Sequence, residues 1–156
     1  MPGLEDLYRE IILDHYRNPR NRGELESPPA QRVEGFNPLC GDEIVVFLEL
    51  DGDKRISDIR IGGQGCSISQ SSASMMSAAV KGRTINEVAD LTRAFKGMMS
   101  IHESSLGGDA VEPEVLPDVK LGDLEALRGV VKFPVRIKCA TLAWNTLAQA
   151  IDEADA

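Results

Sequence analysis

Residues 44–61, IVVFLELDGDKRISDIRI, decide the fold. Ile44–Leu50 is dense in β-branched and aliphatic residues, Asp51-Gly52-Asp53-Lys54 is a turn, and Ile56, Ile59 and Ile61 mark a returning strand. Together they predict an antiparallel hairpin. The glycines of Gly62-Gly63-Gln64-Gly65 are expected to stop its second strand. Upstream, a polar stretch from Arg20 to Gly35, with Pro28-Pro29, leads into a short strand around Gln31–Phe36. Further upstream, Leu4, Leu7, Tyr8, Ile11, Ile12 and His15 recur at helical spacing, which predicts an amphipathic helix ending near Asn18-Pro19.

Downstream of the hairpin, Ile68, Ser72, Met75, Met76 and Ala79 carry a helical stripe to Gly82. Thr84-Ile85-Asn86-Glu87 is a capping-box pattern, and Val88, Leu91 and Phe95 extend the helix it opens. From Met98 to about Lys120 the periodicity weakens. Gly107, Gly108, Pro113 and Pro117 stand among five acidic residues, which reads as a long, acidic, mobile excursion. Leu121–Gly129 is expected to be a short helix. A last helix begins at or after Pro134, with Cys139, Ala143, Leu147 and Ile151 at four-residue steps. The order is that of an α+β domain, a small, about three-stranded antiparallel sheet with helices packed on one face.

Composition narrows the function. At 156 residues, 42% hydrophobic and 27% charged, the chain reads as one globular domain, residues 1–156. Seventeen basic residues against 25 acidic ones give a formal charge of −8, which argues against a nucleic-acid partner. The longest strictly apolar run, Ile44–Leu48, is too short to span a membrane, and no basic-then-apolar signal opens the chain. Three cysteines are too few for a disulfide framework, so a reducing cytoplasm with free or metal-bound thiols is expected.

Those cysteines are the candidates for chemistry. Cys40-Gly41-Asp42 lies in the turn before the central strand, where glycine lets a thiolate and a carboxylate converge on one point. Cys66 follows three glycines and opens a helix, where unpaired N–H groups stabilise a thiolate. Cys139 lies near the start of the last helix. None belongs to a Cys-x-x-Cys pair, so a shared site must be assembled by the fold. Each also has a plainer reading: Cys139 as a packed small side chain, Cys40-Gly41-Asp42 as a simple turn. His15, on an apolar helix face, reads as a packed or contact residue, and Met75 and Met76 as core. Ser67, Ser69, Ser71, Ser72, Ser74 and Ser77 read as small residues that permit close helix packing, since no triad partners accompany them.

Four segments together resemble a known family. Leu7-Tyr8 through Asp14-His15-Tyr16-Arg17-Asn18-Pro19-Arg20-Asn21 is similar to the opening of the SufU branch of the SufU/IscU/NifU N-terminal-like iron–sulfur cluster assembly proteins. Asn37-Pro38-Leu39-Cys40-Gly41-Asp42, Gly63-Gln64-Gly65-Cys66-Ser67-Ile68-Ser69 and Phe133-Pro134-Val135-Arg136-Ile137-Lys138-Cys139-Ala140-Thr141-Leu142-Ala143-Trp144 match its three cysteine motifs in order. The scaffold branch, IscU, carries a histidine just before its third cysteine; here Lys138 stands there. The stretch between Lys96 and Phe133 also resembles the insertion that marks the SufU branch, around residues 98–131.

The resemblance implies a SufE/IscU-like fold and a Zn²⁺ site made of Cys40, Asp42, Cys66 and Cys139. It implies that Cys40 accepts persulfide sulfur from a pyridoxal-phosphate cysteine desulfurase of the SufS type, and that the sulfur passes toward a downstream Fe–S scaffold complex. Arg136 and Lys138 could offset the site's negative charge or meet the partner, or be solvated surface cations. The alternative the resemblance carries is a scaffold that builds a transient Fe–S cluster, or holds iron, on the same cysteines.

Overall fold

The computed structural model describes residues 4–26, 30–38, 41–106, 122–132 and 134–154. Helix α1 spans Leu4–Arg17, strand β1 Gln31–Asn37, β2 Asp42–Leu50 and β3 Ile56–Gln64. Helices α2 (Ser67–Val80) and α3 (Ile85–Leu106) follow, then a 3₁₀ segment, Gly122–Lys132, and α4 (Pro134–Ala154). The strands form an antiparallel meander in the order β1-β2-β3, with β2 central.

Strand alternation places the core. Val33, Ile44, Val46, Leu48, Ile59 and Ile61 share one sheet face and join Met75, Met76, Leu91, Phe95 and Trp144 in a single apolar cluster. α4 crosses β1 and β2, while α2 lies against β3 and packs between α1 and α4. Helices therefore cover one face, as expected. Val45 and Phe47 point the other way, where the Arg32 guanidinium sits 5.8 Å from the Phe47 ring centre. The three-then-two spacing of Ile56, Ile59 and Ile61 has a local cause. The β2–β3 register shifts at Glu49/Leu50, leaving Ser57 as an extra residue, so Ile56 still reaches the core.

Two boundaries differ from the sequence expectation. β3 runs through the glycines to Gln64, because Gly62 and Gly63 stay paired with Val45 and Ile44. Strand pairing outweighs the low β-propensity of glycine there. α3 continues past Met98 to Leu106, anchored by buried Met98 and Met99, so the first part of the expected excursion is helix. Residues 107–121, which hold the rest of that excursion and Lys120, lie outside the described residues. The short helix expected at Leu121–Gly129 is the 3₁₀ segment.

The serine-rich face of α2 does more than pack closely. Ser72 donates to the Ala140 carbonyl at 2.6 Å, and Ser77 to the Arg20 carbonyl at 3.2 Å. Ser74 Oγ accepts the Arg20 N–H at 2.9 Å and lies 2.8 Å from His15 Nδ1, while His15 Nε2 meets Asp123 at 2.9 Å. His15 is thus a buried tie between α1, α2 and the 3₁₀ segment. The small serines let the helices approach and then satisfy groups buried between them.

Candidate metal centre

Three elements end at one point. Asp42 opens β2, Cys66 is the residue before α2, and Cys139 lies in the second turn of α4. One ligand atom from each falls within 4.8 Å of the others. Asp42 and Cys139 are buried and Cys66 is half-buried.

Asp42 is the hub. Its Oδ1 accepts the Cys66 backbone N–H at 2.9 Å, and its Oδ2 lies 3.8 Å from Cys66 Sγ. Burial pushes the carboxyl up. Hydrogen bonds from the Cys66 backbone, the Cys139 and Cys66 thiols and the Ser69 hydroxyl outweigh it and hold Asp42 below the usual carboxylate value. Cys66 is the N-cap of α2, and its Sγ accepts the Ser69 N–H at 3.5 Å. Ser69 Oγ in turn donates to the Cys66 carbonyl at 3.1 Å. Gly65 makes the approach possible, because a Cβ there would fall 2.5 Å from Asp42 Oδ1 and 2.8 Å from Ser69 Oγ.

Cys139 is fully buried, and the Asn37 amide donates to its sulfur at 3.6 Å. Asn37 and Asp42 are cross-strand partners, so residues 38–41 make the connection between β1 and β2. Gly41, at φ +69°, takes the left-handed conformation that the expected sharp turn requires. Cys40 belongs to this connection but lies outside the described residues.

Of the sequence candidates, the fold brings Asp42, Cys66 and Cys139 together and leaves Arg136 and Lys138 exposed at the start of α4. Sequence reasoning gave Asn37, Ser69 and Gly65 no role at the site, reading Ser69 as a small packing residue and Gly65 as part of a strand stop. Ser69 was findable, since the third residue after an N-cap is where a capping partner sits. Asn37 reaches Cys139 across 102 residues, and no local pattern encodes that.

The donor set fits a tetrahedral cation. Bonds of about 2.0–2.3 Å place ligand atoms roughly 3.3–3.8 Å apart, and the three groups lie within 4.8 Å of one another. Thiolates with one carboxylate suit zinc better than magnesium or calcium, which prefer oxygen.

Comparison with known proteins shows the family. The family described as the NifU-like N terminal domain matches residues 7–140. The chain is 45% identical over 148 residues to the zinc-dependent sulfurtransferase SufU of Bacillus subtilis, covering 95% of this chain and 91% of that one. It is 40% identical over 148 residues to the iron–sulfur cluster assembly scaffold protein IscU of Streptococcus pyogenes, covering 95% and 84%. A crystal structure of a candidate iron–sulfur cluster assembly scaffold protein for the SUF system of Fervidobacterium islandicum superposes with a TM-score of 0.74. That protein is 31% identical, with 96% of this chain and 99% of that one covered. Among the described residues, no helix is long and apolar enough to cross a membrane.

Proposed function

The chain belongs to the NifU-like N-terminal domain family, and on that premise we propose that it is a zinc-dependent sulfurtransferase of iron–sulfur cluster assembly, working in the cytoplasm. The observation that carries this reading is the cluster of Asp42, Cys66 and Cys139, joined to a short connection that bears the third cysteine. Cys40 completes the ligand set, since the connection's flanking residues, Asn37 and Asp42, both touch the site. Bound there, zinc would hold the cysteine thiolates deprotonated, with no redox chemistry of its own.

The residues divide the work. Asp42 holds the Cys66 backbone, Asn37 and Ser69 orient the two sulfurs, and Cys40 is the acceptor. Its thiolate attacks the outer sulfur of a persulfide on a SufS-type cysteine desulfurase. A new S–S bond forms on Cys40 as the donor's S–S bond breaks, and the donor cysteine leaves as a thiolate. Cys66 and Cys139 are held by helix backbone and by packing, which favours Cys40 as the ligand that moves. Four anionic ligands around a divalent cation leave an excess of two negative charges. Arg136 and Lys138, exposed beside Cys139, are placed to offset that charge and to meet the partner. A downstream scaffold complex then takes the sulfur. The segment around 98–131 is read as the insertion of the SufU branch.

The competing reading is a scaffold that assembles an Fe–S cluster on the same cysteines, which the names of two of the similar proteins favour. Lys138 weighs against it, because an ammonium cannot ligate iron as an imidazole can. Alanine release by the desulfurase, with cysteine and a thiol reductant, decides between them. Zinc-loaded protein should stimulate it, and Cys40→Ala and metal-free protein should not. Equal rates in all three would overturn the transferase, and a stable brown protein that passes its cluster to an apo-ferredoxin would establish the scaffold.

A further inference from the structure

A cleft of about 440 Å³ opens beside the metal centre, its wall formed by Tyr16, Arg17, Arg22, Gln64, Gly65 and Gln70. Gly65 ties it to the site, since the next residue is Cys66. The chain builds this wall deliberately. Residues 21–23 run along the outer edge of β3, with Ile61 N–H bonded to the Asn21 carbonyl at 2.9 Å and Gly23 N–H to the Ile61 carbonyl at 3.2 Å. Arg22 is thereby held across the strand end. It donates to Gln70 Oε1 at 3.0 Å and to the Gly63 carbonyl at 2.6 Å.

Both acceptors of Arg22 are neutral. Among the described residues no carboxylate lies within ion-pair distance of Arg22 or of Arg17, in a chain whose formal charge is −8. Gln70 adds a second, independent signal. Its Oε1 is taken by Arg22, which fixes the orientation of the amide, and its Nε2 is buried with no hydrogen-bond partner among the described residues. A buried donor of this kind is uncommon and calls for an acceptor. Two uncompensated guanidinium groups and one unpartnered amide N–H ask for a ligand that is anionic and accepts hydrogen bonds. A carboxylate meets both demands. Tyr16, 46% exposed at the rim, offers an apolar surface to the stem that carries it.

We propose that this cleft docks an acidic side chain, Asp or Glu, of the desulfurase that delivers sulfur, and so sets how the donor's persulfide is aimed at the metal centre. The proposal rests on the sulfur-transfer reading. A donor that brings sulfur to the thiols of this site must cover the end of β3, and the cleft is the cationic surface it meets there. Charge complementarity of this kind governs encounter and register more than the chemical step. Arg17 and Gln70 are therefore docking residues.

The test follows alanine release by the desulfurase against the concentration of the zinc-loaded full-length chain. Arg17→Gln and Gln70→Glu should each raise the concentration for half-maximal stimulation by roughly tenfold, the second because its carboxylate occupies the cleft from within. Arg9→Gln, on the same helix but outside the cleft, should shift it less than about twofold. Zinc should stay at one per chain in each. Should Gln70→Glu lose zinc, Arg17→Gln decides alone, since Arg17 is exposed and has no ion-pair partner among the described residues. Added salt should raise the wild-type value more steeply than that of Arg17→Gln. Stimulation with the same half-maximal concentration in wild type and Arg17→Gln overturns the cleft and leaves sulfur transfer standing. An equal shift in Arg9→Gln also overturns it, because a diffuse field would then suffice. A wild-type chain that does not stimulate the desulfurase overturns the sulfur-transfer reading, and the docking with it.

Discussion

Helices α2 and α3 begin in two different ways. α3 opens with a reciprocal capping box: Thr84 Oγ1 accepts the Glu87 N–H at 3.2 Å, and Glu87 Oε1 accepts the Thr84 N–H at 3.1 Å. α2 opens with Cys66, whose sulfur accepts the equivalent N–H, that of Ser69, at 3.5 Å. Sulfur is a weak acceptor, and serine, threonine or aspartate would cap better. The third residue of α2 is a serine rather than a glutamate, and its hydroxyl turns to the Cys66 carbonyl. One helix start serves stability, and the other gives up part of its capping to hold a metal ligand.

The sharpest way to break that comparison is Cys66→Ser. In the metal-free protein the hydroxyl should cap α2 better and raise the unfolding free energy by about 0.5–1 kcal/mol. In the presence of zinc the ordering should reverse. The variant should lack bound metal and fall about 3–5 kcal/mol below zinc-loaded wild type, because metal affinity is linked to folding. Urea unfolding with and without chelator, alongside metal analysis, reads both signs. A variant that binds zinc and matches or exceeds wild-type stability in its presence would mean that Cys66 is not a ligand, and one that is less stable than wild type without metal would overturn the capping argument.

Gly65→Ala should come next, at about 2 kcal/mol, by wedging a methyl group between Asp42 and Ser69. It should also reduce zinc affinity. Unchanged affinity would mean that the carboxylate does not depend on this close approach. Thr84→Ala should cost about 1 kcal/mol through the lost cap of α3 while leaving zinc content at the wild-type level. A fall in zinc would show that the two helix starts are coupled.

The smallest effect is a pH dependence confined to α3. Hydrogen bonds from the Thr84 backbone N–H and then its hydroxyl hold the exposed Glu87 carboxyl below its usual value. A depressed carboxyl contributes stability that is present above its ordinary value of ~4.3 and lost as pH falls through the lower folded value. The stability difference between wild type and Glu87→Gln should therefore be constant near neutrality and shrink in acid. A difference that grows with acid would reverse the assignment.

How much of this was legible in the sequence varies by element. The hairpin could be read because Ile44–Leu50 and its turn are local signals, and so could the capping box, whose partners lie three residues apart. The ligand cluster was legible only as three cysteines at element boundaries and in their resemblance to a family. Asp42 and Cys66 are 24 residues apart, and Asn37 and Cys139 are 102 apart, so their meeting depends on the sheet and on how α4 crosses it. The end of β3 was misplaced because cross-strand pairing with Ile44 and Val45 decides it. The hydrogen-bonding role of the α2 serines is not legible, because their acceptors, the carbonyls of Arg20 and Ala140, carry no sequence signature.

Trp144 is the chain's single tryptophan, fully buried in α4 and stacked on Phe95 of α3, with ring centres 4.8 Å apart. Its indole is fully buried, so the ring is shielded from bulk solvent. The fold thus contains one tryptophan, shielded from bulk solvent, on the helix that also carries Cys139. Its emission should lie at short wavelength in the native protein and resist external quenchers. Any event that lifts α4 from the sheet would then register as a red shift from a single reporter, with no label introduced.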